Sequence, residues 1–170
     1  MSAEKLSRKE LLESFLEKFN ISTLNPMQVE ARKAIYNGND VVLLSPTGSG
    51  KTLAFLLPLI ERLNHKVDGI QAIILVPSRE LAMQIEQVAR QLRSGFKINA
   101  VYGGRSGQID KANLKTKPAL LVGTPGRIAD RFRRDNMDLS CVKTLVLDEF
   151  DKSLEVGFER DMSEILRSLK

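Results

Sequence analysis

The sequence holds one cysteine, Cys141, and one histidine, His65. A lone thiol cannot close an internal disulfide, and one cysteine with one histidine cannot build a zinc cluster. That shortage fits a reducing, intracellular setting. Residues 1–10 are polar and lack the apolar stretch of a signal peptide. No apolar run approaches the length of a membrane span. No repeat, low-complexity tract or internal linker interrupts the chain. The expectation is a cytoplasmic protein with no membrane partner, built neither on disulfides nor on zinc.

What remains is an ordinary globular composition. The 170 residues are 42% apolar, enough for one domain with a sizeable core. The net charge of +5 and pI near 9.4 suit a polyanionic partner or a mildly basic surface equally well.

Periodicity places the elements. Leu6, Leu11, Leu12, Phe15, Leu16 and Phe19 fall near one face of a helix over 6–19, with Ser7 and Glu10 spaced as a capping box. Pro26 suits the first position of a second helix running to about Tyr36, and 37–40 reads as its cap and turn. Short apolar strands are expected at 41–45, 72–76, 98–102, 119–122 and 144–147. Helix-length sequence separates them, among it a helix ending near Asn64 that Pro58 is expected to bend or end, and another over 81–92. After Asp151 the apolar spacing suggests one more helix. Uniformly apolar strands alternating with helices predict an α/β fold, a mostly parallel sheet with helices on both faces. A polar cluster comes after each strand, and in such sheets ligands bind along the carboxyl edge.

The loop Ser45-Pro46-Thr47-Gly48-Ser49-Gly50-Lys51-Thr52 carries the clearest chemistry. Gly48 and Gly50 let successive N–H groups face one point, and the helix behind adds its positive end. Lys51 can reach the β/γ-phosphates and Thr52 can offer its hydroxyl to Mg²⁺. Ser45 stands where the usual motif begins with glycine, so the match is to the tail T-G-S-G-K-T. The plain alternative is a Gly/Ser turn with a surface lysine. Asp148-Glu149 ends the last strand. Asp148 could hold Mg²⁺, and Glu149 could orient or deprotonate a water attacking the γ-phosphate, with Lys51 stabilising the transferring charge. By itself such a pair is more often a helix cap, and only the loop at 45–52 turns the reading toward metal binding and catalysis.

In combination these motifs resemble the DEAD-box RNA helicases. The matching stretches are S-P-T-G-S-G-K-T at 45–52, P-S-R-E-L-A at 77–82, Gly103-Gly104, T-P-G-R at 124–127, D-E-F-D at 148–151 and a partial Q motif, N-P-M-Q at 25–28. The resemblance implies a RecA-like P-loop domain that binds ATP and Mg²⁺ through Gln28, 45–52 and Asp148. It implies that Gln28 reads adenine, as a carboxamide can. It also implies that Pro77, Arg79, Gly103, Gly104, Thr124, Pro125 and Arg127 hold the phosphodiester backbone of one RNA strand, without sequence information. Arg79 could equally be a structural pair with Glu80. Asp151 is assigned to coupling with a second RecA-like domain.

The sequence departs from the pattern at three places. Phe150 replaces an alanine and is expected to need space behind the catalytic turn, with a consequent shift of Asp151. Leu24 stands for the first proline of the Q motif, and Asn20-Ile21 for its Gly-aromatic start. The family's Ser-Ala-Thr strand and second domain do not follow Asp151. The expected organisation is therefore a helical Q-motif region over 1–40 packed on a RecA-like domain over 41–170, one structural unit that forms the amino-terminal half of a helicase. The isolated chain is expected to have little or no activity. The runner-up is a nucleotide-binding, RNA-binding or regulatory module without productive turnover.

Overall fold

The computed structural model describes residues 7–46, 48–104, 107–135 and 137–169. They form two compact units. One runs to Asn64 and includes Ala89–Gly95; the other holds His65–Val88 and the chain from Phe96 onward.

The first unit is helical. α1 (Arg8–Lys18) starts at the predicted capping box: Ser7 Oγ accepts from Glu10 N–H at 3.2 Å, and Glu10 accepts from Ser7 N–H at 2.7 Å. α2 (Pro26–Tyr36) repeats the device with Asn25 and Gln28. α3 (Lys51–Arg62) is apolar on all sides, and Ala54 through Ile60 are all buried. Pro58 does not end it. α2 packs along α3 and is pinned through its carboxyl-terminal half. Arg32 makes a forked pair with Glu61, its Nη2 2.6 Å from Oε1, and Arg62 Nη1 donates to the last α2 carbonyls, those of Ile35 and Tyr36.

The expected strand at 41–45 does not form. Residues 41–46 adopt no regular structure, and Val42 and Leu44 are 87% and 89% exposed. Apolar sequence alone cannot make a strand, because strand backbone groups are satisfied only by a neighbouring ladder.

The second unit is built on a parallel sheet of four strands among the described residues: β1 (Ala72–Leu75), β2 (Ile98–Val101), β3 (Leu120–Gly123) and β4 (Thr144–Leu147), in the order β2-β3-β1-β4. Ile73, Leu75, Val101 and Leu121 face a core completed by Ile128, Met162 and Ile165. The alternate residues Ile74, Leu120 and Val122 are also fully buried, so both faces of the central strands are covered. The remaining helices are α4 (Arg79–Gln91), α5 (Gly107–Leu114), α6 (Pro125–Asp135), α7 (Phe150–Glu155) and α8 (Glu159–Ser168). At the outer edge of β2, the Glu86 carboxylate accepts from Ala100 N–H at 3.0 Å and blunts an edge that would otherwise offer that donor. The single helix expected after Asp151 is two. Gly157, at φ +89°, breaks it, and this lets α8 pack on α6.

Candidate functional site

In the first unit the glycine-rich loop wraps back on itself. Gly48 and Gly50 take φ +79° and +86°, the left-handed conformation that lets the loop turn back on itself. Nothing lies within 4 Å of a Cβ built on Gly48, so the loop has room on that side. A Cβ on Gly50 would stand 2.5 Å from Gln28 Nε2, the movable end of that side chain, so the left-handed backbone is the main reason this position needs glycine. Ser45 Oγ and Ser49 Oγ share a hydrogen bond of 2.6 Å across the loop. Lys51 opens α3, and its ammonium donates to the carbonyls of Ser45 and Pro46, the latter at 2.9 Å. Thr52 comes next in the first turn, half-buried. Thr47 lies outside the described residues.

Gln28 is only 4% exposed. Its Oε1 accepts from Asn25 N–H at 3.0 Å and its Nε2 donates to the Gly50 carbonyl at 3.3 Å. Asn25 Nδ2 donates to the Ser49 carbonyl at 3.1 Å. The carboxamide expected to read a base is thus committed to its own helix cap and to the loop. Asn25 was not singled out from sequence, yet the Asn-x-x-Gln spacing of a capping box was there to be read. A cavity of about 320 Å³ bounded by Leu24, Val29, Arg32, Lys33, Tyr36 and Asn37 contains none of the residues expected to touch nucleotide or RNA.

In the second unit the parallel register brings four loops to one edge of the sheet. Leu75 lies level with Gly123 and with Leu147, and Val101 with Gly123. The ladder extends one residue past each of three strands: Val76 N–H donates to Gly123 O, Thr124 N–H to Val101 O and Asp148 N–H to Leu75 O, at 3.0–3.3 Å. Residues 77–80, 103–104, 124–127 and 148–151 therefore leave the sheet from a common, tightly ordered rim.

Their side chains differ in how they are held. Arg79 is 63% exposed and pairs with its neighbour, Nε 2.6 Å from Glu80 Oε1. The pair raises the arginine pKa and lowers that of the glutamate, through the side-chain hydrogen bond first. Gly103 and Gly104 are exposed, and the Arg79 guanidinium lies 3.4 Å from a Cβ built on Gly104. Pro77 is half-buried, while Thr124 and Pro125 are buried. Arg127 is 17% exposed on its side chain. Its Nε lies 2.7 Å from Oδ2 of Asp110, a fully buried residue of α5, and its Nη1 lies 3.5 Å from Asp130. Asp130 also accepts from Arg131 and Arg134, each at 2.6 Å, and hydrogen bonding to Arg131 is the main force holding its carboxyl below the usual range. No local spacing links Asp110 to Arg127, whereas Asp130 stands at i+3 from it on the same helix, a spacing the sequence does carry.

Glu149 sits at φ +49°, ψ +50°, a left-handed conformation that costs a non-glycine residue of order 1–3 kcal/mol and concentrates at functional sites. It occupies the N-cap place of α7 but makes no side-chain cap bond, which removes the plain reason for an acidic residue there. Its N–H donates to Asp148 Oδ1 at 3.1 Å. Phe150 does not need a pocket behind this turn. It is 45% exposed at the first position of α7, with Asp151 exposed beside it. A helix start points this side chain toward solvent instead of into the core.

The DEAD/DEAH box helicase family model matches residues 25–170. The chain belongs to the DEAD/DEAH box helicase family. Its relatives agree. It is 38% identical over 149 residues to the ATP-dependent RNA helicase DeaD of Escherichia coli, covering 85% of this chain and 24% of that one. It is 36% identical over 169 residues to the ATP-dependent RNA helicase CshA of Limosilactobacillus reuteri, covering 98% of this chain and 34% of that one. The crystal structure of a DEAD box protein from the hyperthermophile Methanococcus jannaschii superposes with a TM-score of 0.87 at 34% identity, over 99% of this chain and 46% of the other. The fold is thus the RecA-like domain of this family, and the chain spans between about a quarter and a half of the length of these relatives. Among the described residues no helix is long and apolar enough to cross a membrane.

Proposed function

We propose that this chain is the ATP-binding domain of an ATP-dependent RNA helicase, and that in the intact, longer protein a second RecA-like domain couples ATP hydrolysis to local opening of an RNA duplex. The observation that carries the reading is the loop at 45–52. Two left-handed glycines curl it ahead of an α-helix whose first residue, Lys51, folds its ammonium over the loop carbonyls. A triphosphate suits that arrangement, since a helix N-terminus and a lysine both favour phosphate oxygens. Gln28 and Asn25 hold the loop's far side, and in this proposal Gln28 exchanges its bond to the Gly50 carbonyl for one to adenine when nucleotide enters.

Among the described residues no three His, Cys, Asp or Glu side chains cluster as a metal cage. The donors expected for magnesium are one hydroxyl, Thr52, and one carboxylate, Asp148, the hard oxygen ligands that suit an ion arriving with its nucleotide. When bound, Mg²⁺ would neutralise charge on the triphosphate oxygens. Glu149, held in its strained turn, is the group proposed to orient or deprotonate the attacking water. Asp151 is the proposed contact for the second domain. One RNA strand is proposed to lie along the rim formed by Arg79, Gly103, Gly104 and the loop 124–127. Its contacts would go to phosphate and would carry little sequence information. A cytoplasmic setting belongs to the same proposal.

The test is Lys51→Ala. Calorimetric titration with ADP and Mg²⁺ should show binding in the wild type and none in the variant, with the far-UV circular dichroism unchanged. Equal affinity in both would remove Lys51 and its loop from the mechanism. Residues 1–170 by themselves should hydrolyse ATP feebly and separate no strands.

A further inference from the structure

We propose that Asp110 is a positioning residue for nucleic acid: its buried carboxylate fixes the direction of the Arg127 guanidinium and locks the loop after β2 to the loop after β3. The inference rests on reading the sheet's carboxyl rim as the contact for an RNA strand.

The location of the carboxylate is the first argument. Asp110 is 0% exposed, and its Oδ1 has no hydrogen-bond partner among the described residues. A buried, incompletely satisfied carboxylate is unfavourable, and a group serving packing alone would be better apolar. Its partnership with Arg127 accounts for its charge. Oδ2 takes the Nε–H of Arg127 at 2.7 Å, and Asp130 approaches Nη1 at 3.5 Å from one turn further along α6. A guanidinium is a rigid plane of five donors, so fixing Nε fixes the direction of the others.

Topology supplies the second argument. β2 and β3 are neighbours, with Val101 level with Gly123. α5 and α6 come after those two strands, and Asp110 and Arg127 lie in their first turns. The ion pair therefore joins the starts of two helices that leave adjacent strands. It ties the start of the helix that comes after Gly103-Gly104 to 124–127, two of the segments proposed to contact the RNA backbone. The pair is inside the rim and is shielded from salt, unlike the exposed Arg79–Glu80 pair.

The proposal has a sign opposite to simple electrostatics. Removing a negative charge close to a polyanion site should tighten binding; removing the brace on Arg127 should weaken it. The experiment measures anisotropy of a fluorescein-labelled twelve-nucleotide oligouridylate with residues 1–170 across a range of salt concentrations, beside ADP calorimetry and thermal melting. Asp110→Asn is expected to weaken RNA binding about tenfold and to flatten the log–log salt dependence by about 0.7, one single-strand phosphate contact, at unchanged ADP affinity. In an Arg127→Gln background the same substitution is expected to add nothing. Equal or tighter binding by Asp110→Asn overturns the proposal, as does an undiminished loss in the Arg127→Gln background. Should Asp110→Asn not fold, Asp110→Glu carries the test: weaker RNA binding at wild-type ADP affinity supports the brace, and unchanged RNA binding overturns it. Absence of salt-dependent binding by the wild type overturns the RNA rim itself, a different result from wild-type binding that Asp110→Asn leaves intact.

Discussion

The helix starts after β1 and β3 each carry an arginine proposed to meet phosphate, and they hold it in different ways. Arg79 stands 63% exposed and leans on the next residue, Glu80, itself exposed. Arg127 is 17% exposed and reaches across to a carboxylate with no solvent contact. An exposed pair gains little in water and releases its arginine at small cost. A buried pair is preorganised, and its arginine arrives at a ligand already ordered. One rim thus combines an adaptable cation with a fixed one.

The largest expected effect tests that contrast through stability. Arg127→Ala removes the hydrogen-bonded partner of the buried Asp110, leaving it only the field of Arg131, and should destabilise the protein by about 3 kcal/mol. For a chain of this size that lowers the melting temperature by roughly 10 °C. Arg79→Ala should leave the melting temperature where it was. Thermal unfolding followed by circular dichroism decides it, and equal melting temperatures for the two variants would erase the distinction.

An intermediate effect concerns acid. Hydrogen bonds from Arg131, and then Arg134, hold the folded Asp130 carboxyl below its unfolded value. Its contribution to stability is therefore complete above the ordinary aspartate pKa of about 3.9 and is lost as pH falls below that through the folded value. Asp130→Asn should flatten the acid limb of stability in that range. Glu80 is also shifted downward, by Arg79, but the pair is largely exposed and screened. Glu80→Gln should leave the limb as it is, and urea titrations at stepped pH will compare the two. A similar flattening by both would mean that burial does not separate the loops.

The smallest effect is on RNA alone. Arg79→Gln should reduce the salt dependence of oligouridylate binding by about 0.7 in log–log slope without moving stability or ADP affinity. An unchanged slope would leave Arg79 as a purely structural partner of Glu80.

Much of the fold is legible in the residues alone. Ser7 with Glu10 and Pro26 after Asn25 mark two helix starts, because capping chemistry is local. Three of the sheet's four runs, β1, β2 and β3, are recognisable because a strand buried on both faces is mostly apolar; β4 is only partly buried. The run at 41–44 carries the same signal and forms no ladder, which shows that composition proposes a strand and only a partner completes it. Phe150 misleads in the other direction: its bulk suggests a buried ring, and the start of α7 leaves it half in solvent.

By itself, then, the sequence determined the features that depend on near neighbours in the chain: the caps, the strand and helix periods, the glycine turn before Lys51 and the acidic end of β4. The tertiary structure alone decided which of these met. It closed Gln28 onto Gly50, 22 residues away, and set Asp110 beneath Arg127, 17 residues away. Such pairings are written in no local pattern, because a buried charge finds its partner through the packing of whole helices on a sheet.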